Sequence, residues 1–227
     1  ASVISTLLDF RCEAIIVLGL ESDSNALDEW NARVPLISVG RRVPRSDLDV
    51  VRTGDHRGMA SVVDHLVSNG HRRIAHLSGG RNLIASDRKA GYVRAMRRHG
   101  LDSEICVLDG DFTEKSGLRV TAELERMETP PTAVVAANDR SAVGLLDALQ
   151  NAGISVPGRM SVTGYDDSML AQLAHIDLTS VSQEPHEQAV KAIEAAVSRL
   201  DGGRTGASSI VLRPRLIVRS TSGRVPT

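Results

Sequence analysis

The sequence predicts an α/β fold of parallel sheets flanked by helices. Apolar runs too short for helices recur along the chain, and the segments between them carry the i, i+3, i+4, i+7 apolar spacing of amphipathic helices, several of them stopped by glycine. The clearest instance is Pro131 to Gly153, PTAVVAANDRSAVGLLDALQNAG. Ala133 to Ala137 is a Val-rich run suited to a buried strand. Ala142, Val143, Leu145, Leu146 and Leu149 then fall on one broad helical face, and Gly153 ends it. Strand and helix repeated in this order mean βαβ units, parallel strands, right-handed crossovers and helices on both faces.

Each element follows from the same reasoning. Ala14–Leu20, Pro35–Gly40 and the shorter Leu48–Val51 read as strands, with one short helix over Asp23–Asn31. Gly58–Asn69 is a helix on the stripe Met59, Val62, Val63, Leu66 and Val67, closed by Gly70. Ile74–Leu77 is a strand, and Ser86 caps a helix running to His99 before Gly100. Ile105–Leu108 is a strand, Thr113–Met127 a helix, and Met160–Gly164 and Leu178–Val181 are strands. Pro185 starts a further helix, with Ala189, Val190, Ile193, Ala196, Val197 and Leu200 as its apolar face. Gly202-Gly203 ends that helix, and Ile210–Arg213 and Leu216–Arg219 are short final strands. No repeat or low-complexity linker divides the chain.

At 227 residues there is room for one large domain or two small ones. A net charge of −1 gives no bulk attraction to nucleic acid or membrane. Aromatic residues make up only 2%, so Val, Leu, Ile and Ala must build the core, and an aromatic in a loop stands out. Cys12 and Cys106 lie far apart in or beside apolar runs, as buried free thiols of a cytoplasmic protein do. No run is long enough to span a bilayer, and no signal peptide is visible. The chain begins at Ala1-Ser2-Val3, without Met, in what reads as the body of a helix. Something upstream is therefore expected to have been removed or left out.

Several chemistries drop out. There is no Walker A sequence, no G-x-G-x-x-G after a strand and no G-x-S-x-G elbow, and Gly79-Gly80 is a turn signal. His65, His71 and His76 match no zinc spacing, so no metal site is expected. Asp166-Asp167 resembles a hydrolytic pair, but adjacent carboxylates usually point apart and more often cap a helix. No catalytic residue, enzyme activity or cofactor is therefore assigned.

What remains is a set of polar groups after successive strands: Arg88, Phe112, Asn138 with Asp139, Asp166, and Gln183. Each has a plain alternative, as a surface arginine, a loop-anchoring ring, helix caps or a solvated amide. Together they fall on one edge of one sheet, where open α/β sheets bind ligands. Carboxylate, amide and guanidinium groups form planar pairs of hydrogen bonds to vicinal hydroxyls, and an aromatic face packs on the C–H face of a sugar ring.

A series of short motifs carries a family resemblance. They are His65-Leu66, Gly70-His71-Arg72-Arg73-Ile74-Ala75, Arg88-Lys89-Ala90-Gly91-Tyr92, Pro131-Thr132-Ala133, Asn138-Asp139-Arg140-Ser141-Ala142-Val143-Gly144, Val156-Pro157, Ser161-Val162-Thr163-Gly164-Tyr165-Asp166-Asp167, Leu178-Thr179-Ser180-Val181 and Gln183. In this order, from Ala14 to about Arg219, they resemble the effector-binding core of the LacI/GalR family of bacterial transcription regulators. The resemblance implies a type I periplasmic-binding-protein-like fold, with two lobes around a cleft, each a parallel sheet flanked by helices, joined by three crossovers. It implies a first lobe of residues 1–70 plus 184–209, incomplete, and a second of 71–183 plus 210–223. Arg88, Phe112, Asn138 and Asp166 occupy positions that commonly contact effector in that family. Gly54-Asp55 stands where the family often reads Asp-Asn, which makes Asp55 the first lobe's candidate contact.

The function implied is sensing of a small sugar-like effector, with homodimerisation and no membrane partner. Operator DNA would be reached only through an N-terminal helix-turn-helix, which with its hinge helix and the lobe's first two strands lies upstream of Ala1. The alternative is a sugar-binding protein of a transporter with the same fold. Effector identity, and repression against activation, stay open. Two structural expectations follow. Arg88→Ala and Asp166→Ala should leave folding nearly intact. The outer edge of Ala14–Leu20 should be bare unless upstream residues or a second copy of the chain cover it.

Overall fold

The structure is a computed structural model and describes residues 2–19, 24–43, 47–204 and 206–225. In chain order its elements are α1 (Ser2–Asp9), β1 (Ile15–Leu18), α2 (Ser24–Asn31), β2 (Leu36–Val39), β3 (Asp49–Thr53), α3 (Asp55–Ser68), β4 (Ile74–Leu77), α4 (Leu83–Arg98), β5 (Cys106–Leu108), α5 (Glu114–Arg126), β6 (Ala133–Ala136), α6 (Asp139–Asn151), β7 (Ser161–Thr163), β8 (Ser180–Ser182), α7 (Pro185–Leu200), β9 (Ser209–Leu212) and β10 (Arg215–Ile217). Leu20 and Asp23, expected as ends of the first strand and its following helix, lie outside the described residues.

The chain divides into two compact units, one of Ala1–Gly54 with Glu184–Arg213 and one of Asp55–Gln183 with Pro214–Thr227. The boundaries expected after residues 70 and 209 are corrected by packing. Met59, Val62, Val63 and Leu66 of α3 bury against Ile74 and Tyr92, so this helix belongs to the second unit. Strand β9 pairs in parallel with β3, so it belongs to the first. An apolar stripe says that a helix buries one face, not which sheet receives it.

In the first unit the parallel sheet runs β1-β2-β3-β9. Ile4 and Leu8 of α1 and Leu27 and Trp30 of α2 cover one face, over Ile15, Leu36 and Val50. Helix α7 covers the other with Ala192, Ala195 and Ala196 against Ile37, Val39 and Val51. The apolar face expected of α7 is therefore only partly the buried one. Val190, Ile193, Val197 and Leu200 are exposed, and small alanines face the sheet with Gln188, whose Nε2 donates to Thr53 Oγ1 at 3.0 Å. Among the described residues no strand pairs with the outer edge of β1, and its Ile16 and Leu18 are exposed.

In the second unit the parallel sheet runs β5-β4-β6-β7. The antiparallel pair β8–β10 continues it through the bridges Thr163–Thr179 and Asp166–Ser182. The carboxyl ends of these parallel strands consequently face the same way. Helices α3 and α4 cover one face through Met59, Leu66, Tyr92 and Met96. Helices α5 and α6 cover the other through Val120, Leu124, Leu145 and Leu149. Helix α4 starts earlier than expected. Its cap is Asn82, whose side chain accepts from Ala85 N at 2.9 Å, and Ser86 sits inside the first turn.

Helices α5 and α6 touch backbone to backbone. A Cβ on Gly144 would lie 2.0 Å from the Glu114 carbonyl oxygen, and one on Gly117 would lie 2.3 Å from Leu145 N. Gly144→Ala is expected to cost about 1–3 kcal/mol by overpacking. The check is a lower urea midpoint at unchanged slope.

Candidate functional site

The centre of the site is Arg88, in the second turn of α4, with only 3% of its surface exposed. Its Nε donates to Asp55 Oδ1 at 3.0 Å, and one terminal nitrogen donates to Asp166 Oδ1 at 3.2 Å. The other terminal nitrogen donates to the Ala137 carbonyl at the end of β6. The guanidinium also lies over the Tyr165 ring, 3.8 Å from its centroid, with the Phe112 ring at 5.9 Å. Burial alone would pull this arginine down. The Asp166 and Asp55 carboxylates outweigh it and hold the group above its ordinary range.

Asp166 is the more open acid, with 34% of its side chain exposed against 10% for Asp55. Its Oδ1 accepts from Arg88 and from Gln183 Nε2, the latter at 2.7 Å. Among the described residues nothing donates to its Oδ2. Burial raises the Asp166 carboxyl, and the Arg88 charge and the Gln183 bond act against that rise. Its φ is +115° and that of Asp167 is +49°, backbone that side-chain-bearing residues seldom adopt.

Asn138 caps α6: its Oδ1 accepts from Ser141 N at 3.0 Å and Ser141 Oγ at 2.7 Å. Its Nδ2 donates to the Phe112 carbonyl at 3.0 Å, so one amide fixes both a helix start and the neighbouring loop. Phe112 itself is at φ +66°. Its ring fills the space where a Cβ on Gly79 would lie, 2.2 Å from Cζ. Thus Arg88, Asp55, Asp166 and Gln183 form one bonded cluster, with Phe112 and Asn138 at its border. All six sequence-derived candidates belong to the second unit, Asp55 included, so Asp55 is not a contact from the first.

Sequence reasoning missed Tyr165, which is fully buried and stacked under Arg88. Burial, then the Asp55 charge, pushes its phenol up. Its rarity was the available signal, as the chain holds just two tyrosines. Gly58 belongs with it, because a Cβ there would lie 2.4 Å from the Tyr165 hydroxyl. Gly79, read as a turn signal, is the seat of the Phe112 ring. Among the described residues no His, Cys, Asp and Glu cluster could hold a metal ion.

An open parallel sheet with a buried cation between two acids at its carboxyl edge, and a second α/β unit on the same chain, define a two-unit α/β protein of the parallel-sheet class. A family model described as a periplasmic binding protein-like domain matches residues 63–222. A solved LacI transcriptional regulator from a Rhodococcus species is 41% identical, with 99% of this chain and 83% of that one covered and a TM-score of 0.94. The solved complex of the transcriptional regulator CelR with cellobiose is 30% identical, with 97% and 69% covered and a TM-score of 0.83. The HTH-type transcriptional repressor CytR of Escherichia coli (strain K12) is 26% identical over 98% of this chain and 66% of its own length. The chain belongs to the LacI family of transcriptional regulators and carries its periplasmic-binding-protein-like domain. It spans just under two thirds of the length of that curated relative.

Proposed function

We propose that these residues form the effector-sensing domain of a LacI-type transcriptional regulator, that the effector is a small sugar-like molecule, and that the domain dimerises. DNA contact would belong to a part of the regulator outside these 227 residues. The observation that carries the reading is the Arg88 cluster. A fixed guanidinium, an acid with an uncommitted oxygen, an amide and an aromatic border together match a polyhydroxylated ring. The cellobiose bound to CelR supports the ligand class. Support for dimerisation comes from the second unit's surface. A groove of about 650 Å³ beside α6 is lined by Leu118 of α5, by Val143 and Leu146 of α6 and by Ile154, Val156 and Ile176 of the loops that follow, and Met169 and Leu173 are exposed on the same unit. The transporter reading draws no support, since the relatives named are regulators.

The test is a thermal-shift and calorimetric screen of ribose, arabinose and cellobiose, with sedimentation in parallel. A sugar at a hundredfold its dissociation constant is expected to add about 2.7 kcal/mol. Asp166→Asn is expected to fold and to lose about 1.5–3 kcal/mol of sugar affinity, the value of a charge-assisted bond. A chain that ignores every sugar but responds to a ligand without hydroxyls would overturn the ligand class, and a monomer at all concentrations would overturn the dimer.

A further inference from the structure

We infer that Asp139 is a positioning residue for the effector site, suspending the turn that aims Asp166 at Arg88. This rests on the sugar-sensing reading above. Asp139 opens α6 and is 1% exposed. Its Oδ2 accepts from Ser168 N at 2.7 Å, and its Oδ1 accepts from Ser180 Oγ at 2.6 Å. That hydroxyl in turn accepts from Asp167 N at 3.0 Å. The backbone N–H of Asp139 donates to the Tyr165 carbonyl at 2.9 Å. One residue therefore holds the turn on both sides of Asp166, at Tyr165 before it and at Ser168 after it, and reaches Asp167 through Ser180. The carboxylate is let in by Gly164, where a Cβ would lie 2.3 Å from Oδ1.

The turn needs such an anchor. Asp166 and Asp167 both hold positive φ, a conformation that persists only where the surroundings impose it. Helix capping alone does not require Asp139 to be an acid, since Asn138 already caps α6 through Ser141. The charged groups around it are Asp166 and Asp167 on the turn, Arg88 paired with Asp166, and Arg219 paired with Asp167 at 2.6 Å. Burial, aided by the Asp166 charge and opposed by the Ser180 and Ser168 bonds, lifts the Asp139 carboxyl to about 6. Once protonated, one of its oxygens becomes a donor, and Ser180 or Ser168 loses its acceptor. The anchor is then complete only above that pH.

The experiment uses Asp139→Asn and Ser180→Ala in the full chain, with amide hydrogen exchange in the absence of sugar and cellobiose or ribose titrations above and below the Asp139 pKa. In Asp139→Asn the Ser168 amide is expected to exchange about tenfold faster, with Val134 in β6 unchanged, and sugar affinity to fall about tenfold. Ser180→Ala is expected to release the Asp167 amide alone. It serves as the test if Asp139→Asn does not fold. Wild-type affinity is expected to weaken on acidification more than that of Asp139→Asn. Unchanged protection at residues 167 and 168, uniform loosening of the whole unit, or a loosened turn with unchanged affinity each overturns the proposal. If neither sugar binds the wild type, the sugar reading fails, and the amide exchange still decides whether Asp139 holds the turn.

Discussion

Arg88→Ala is expected to lose about 3–5 kcal/mol of folding stability, because it leaves Asp55 and Asp166 facing each other without their shared cation. This reverses the expectation drawn from sequence, which took Arg88 for a ligand contact that folding could spare. Arg88 is 3% exposed and bonds two acids and a strand-end carbonyl, so it is part of the core as well as the site. The control is a triple variant, Arg88→Met with Asp55→Asn and Asp166→Asn, which removes cation and anions together and is expected to recover most of the loss. Urea unfolding followed by circular dichroism measures both. An Arg88→Ala protein within about 1 kcal/mol of wild type would show that water reaches the two acids freely.

His76→Leu is expected to change how stability depends on pH. His76 is fully buried on β4 and stacks on Tyr92, with ring centroids 5.3 Å apart. One ring nitrogen, Nδ1, bonds the Val135 carbonyl at 2.9 Å, and among the described residues Nε2 has no partner. Protonation would place an N–H without an acceptor in an apolar layer, near the charges of Arg88 and Lys89. Burial thus lowers the group from 6.5 to about 4. The unfolded chain binds this proton first, so the stability His76 contributes is complete above about pH 6.5 and is lost as pH falls toward about 4.

At about pH 4.5 that loss amounts to about 2–3 kcal/mol. Asp139 acts with the opposite sign: its folded value is raised, so its charge weakens the fold as pH climbs through about 6. The wild-type profile sums both, and the informative quantity is the difference between His76→Leu and wild type. The variant is expected to gain on the wild type by about 2–3 kcal/mol between about pH 7.5 and about pH 4.5. A constant difference would mean that the imidazole finds an acceptor when charged.

The strand–helix alternation was legible because period and length decide it locally. The run Ala133–Ala137 and the stripe through Leu149 can hardly fold otherwise. The polar groups after successive strands were legible too, because parallel topology brings strand ends to one edge. What sequence could not supply was destination. The stripe of α3 fits either sheet, and only its contact with Ile74 and Tyr92 assigns it. Helix α7 misled because large apolar residues signal burial more loudly than alanine, and it is Ala192, Ala195 and Ala196 that meet the sheet. Asn82 and Ser86 are both good caps, and nothing in their spacing ranks them. Tyr165 escaped notice because its role is a stacking contact with a residue 77 positions earlier in the chain.

The scarcity of aromatic residues has an experimental consequence. The single tryptophan, Trp30, is buried in the first unit, between α2 and the sheet. Both tyrosines, Tyr92 and Tyr165, are buried in the second, and Tyr165 touches the candidate site's central arginine. Each unit therefore carries its own optical reporter, with no label to add. Tryptophan emission follows one half of the chain while tyrosine absorbance follows the other. A ligand that settles against Arg88 should announce itself in the tyrosine signal, in a solution where the tryptophan serves as the internal reference.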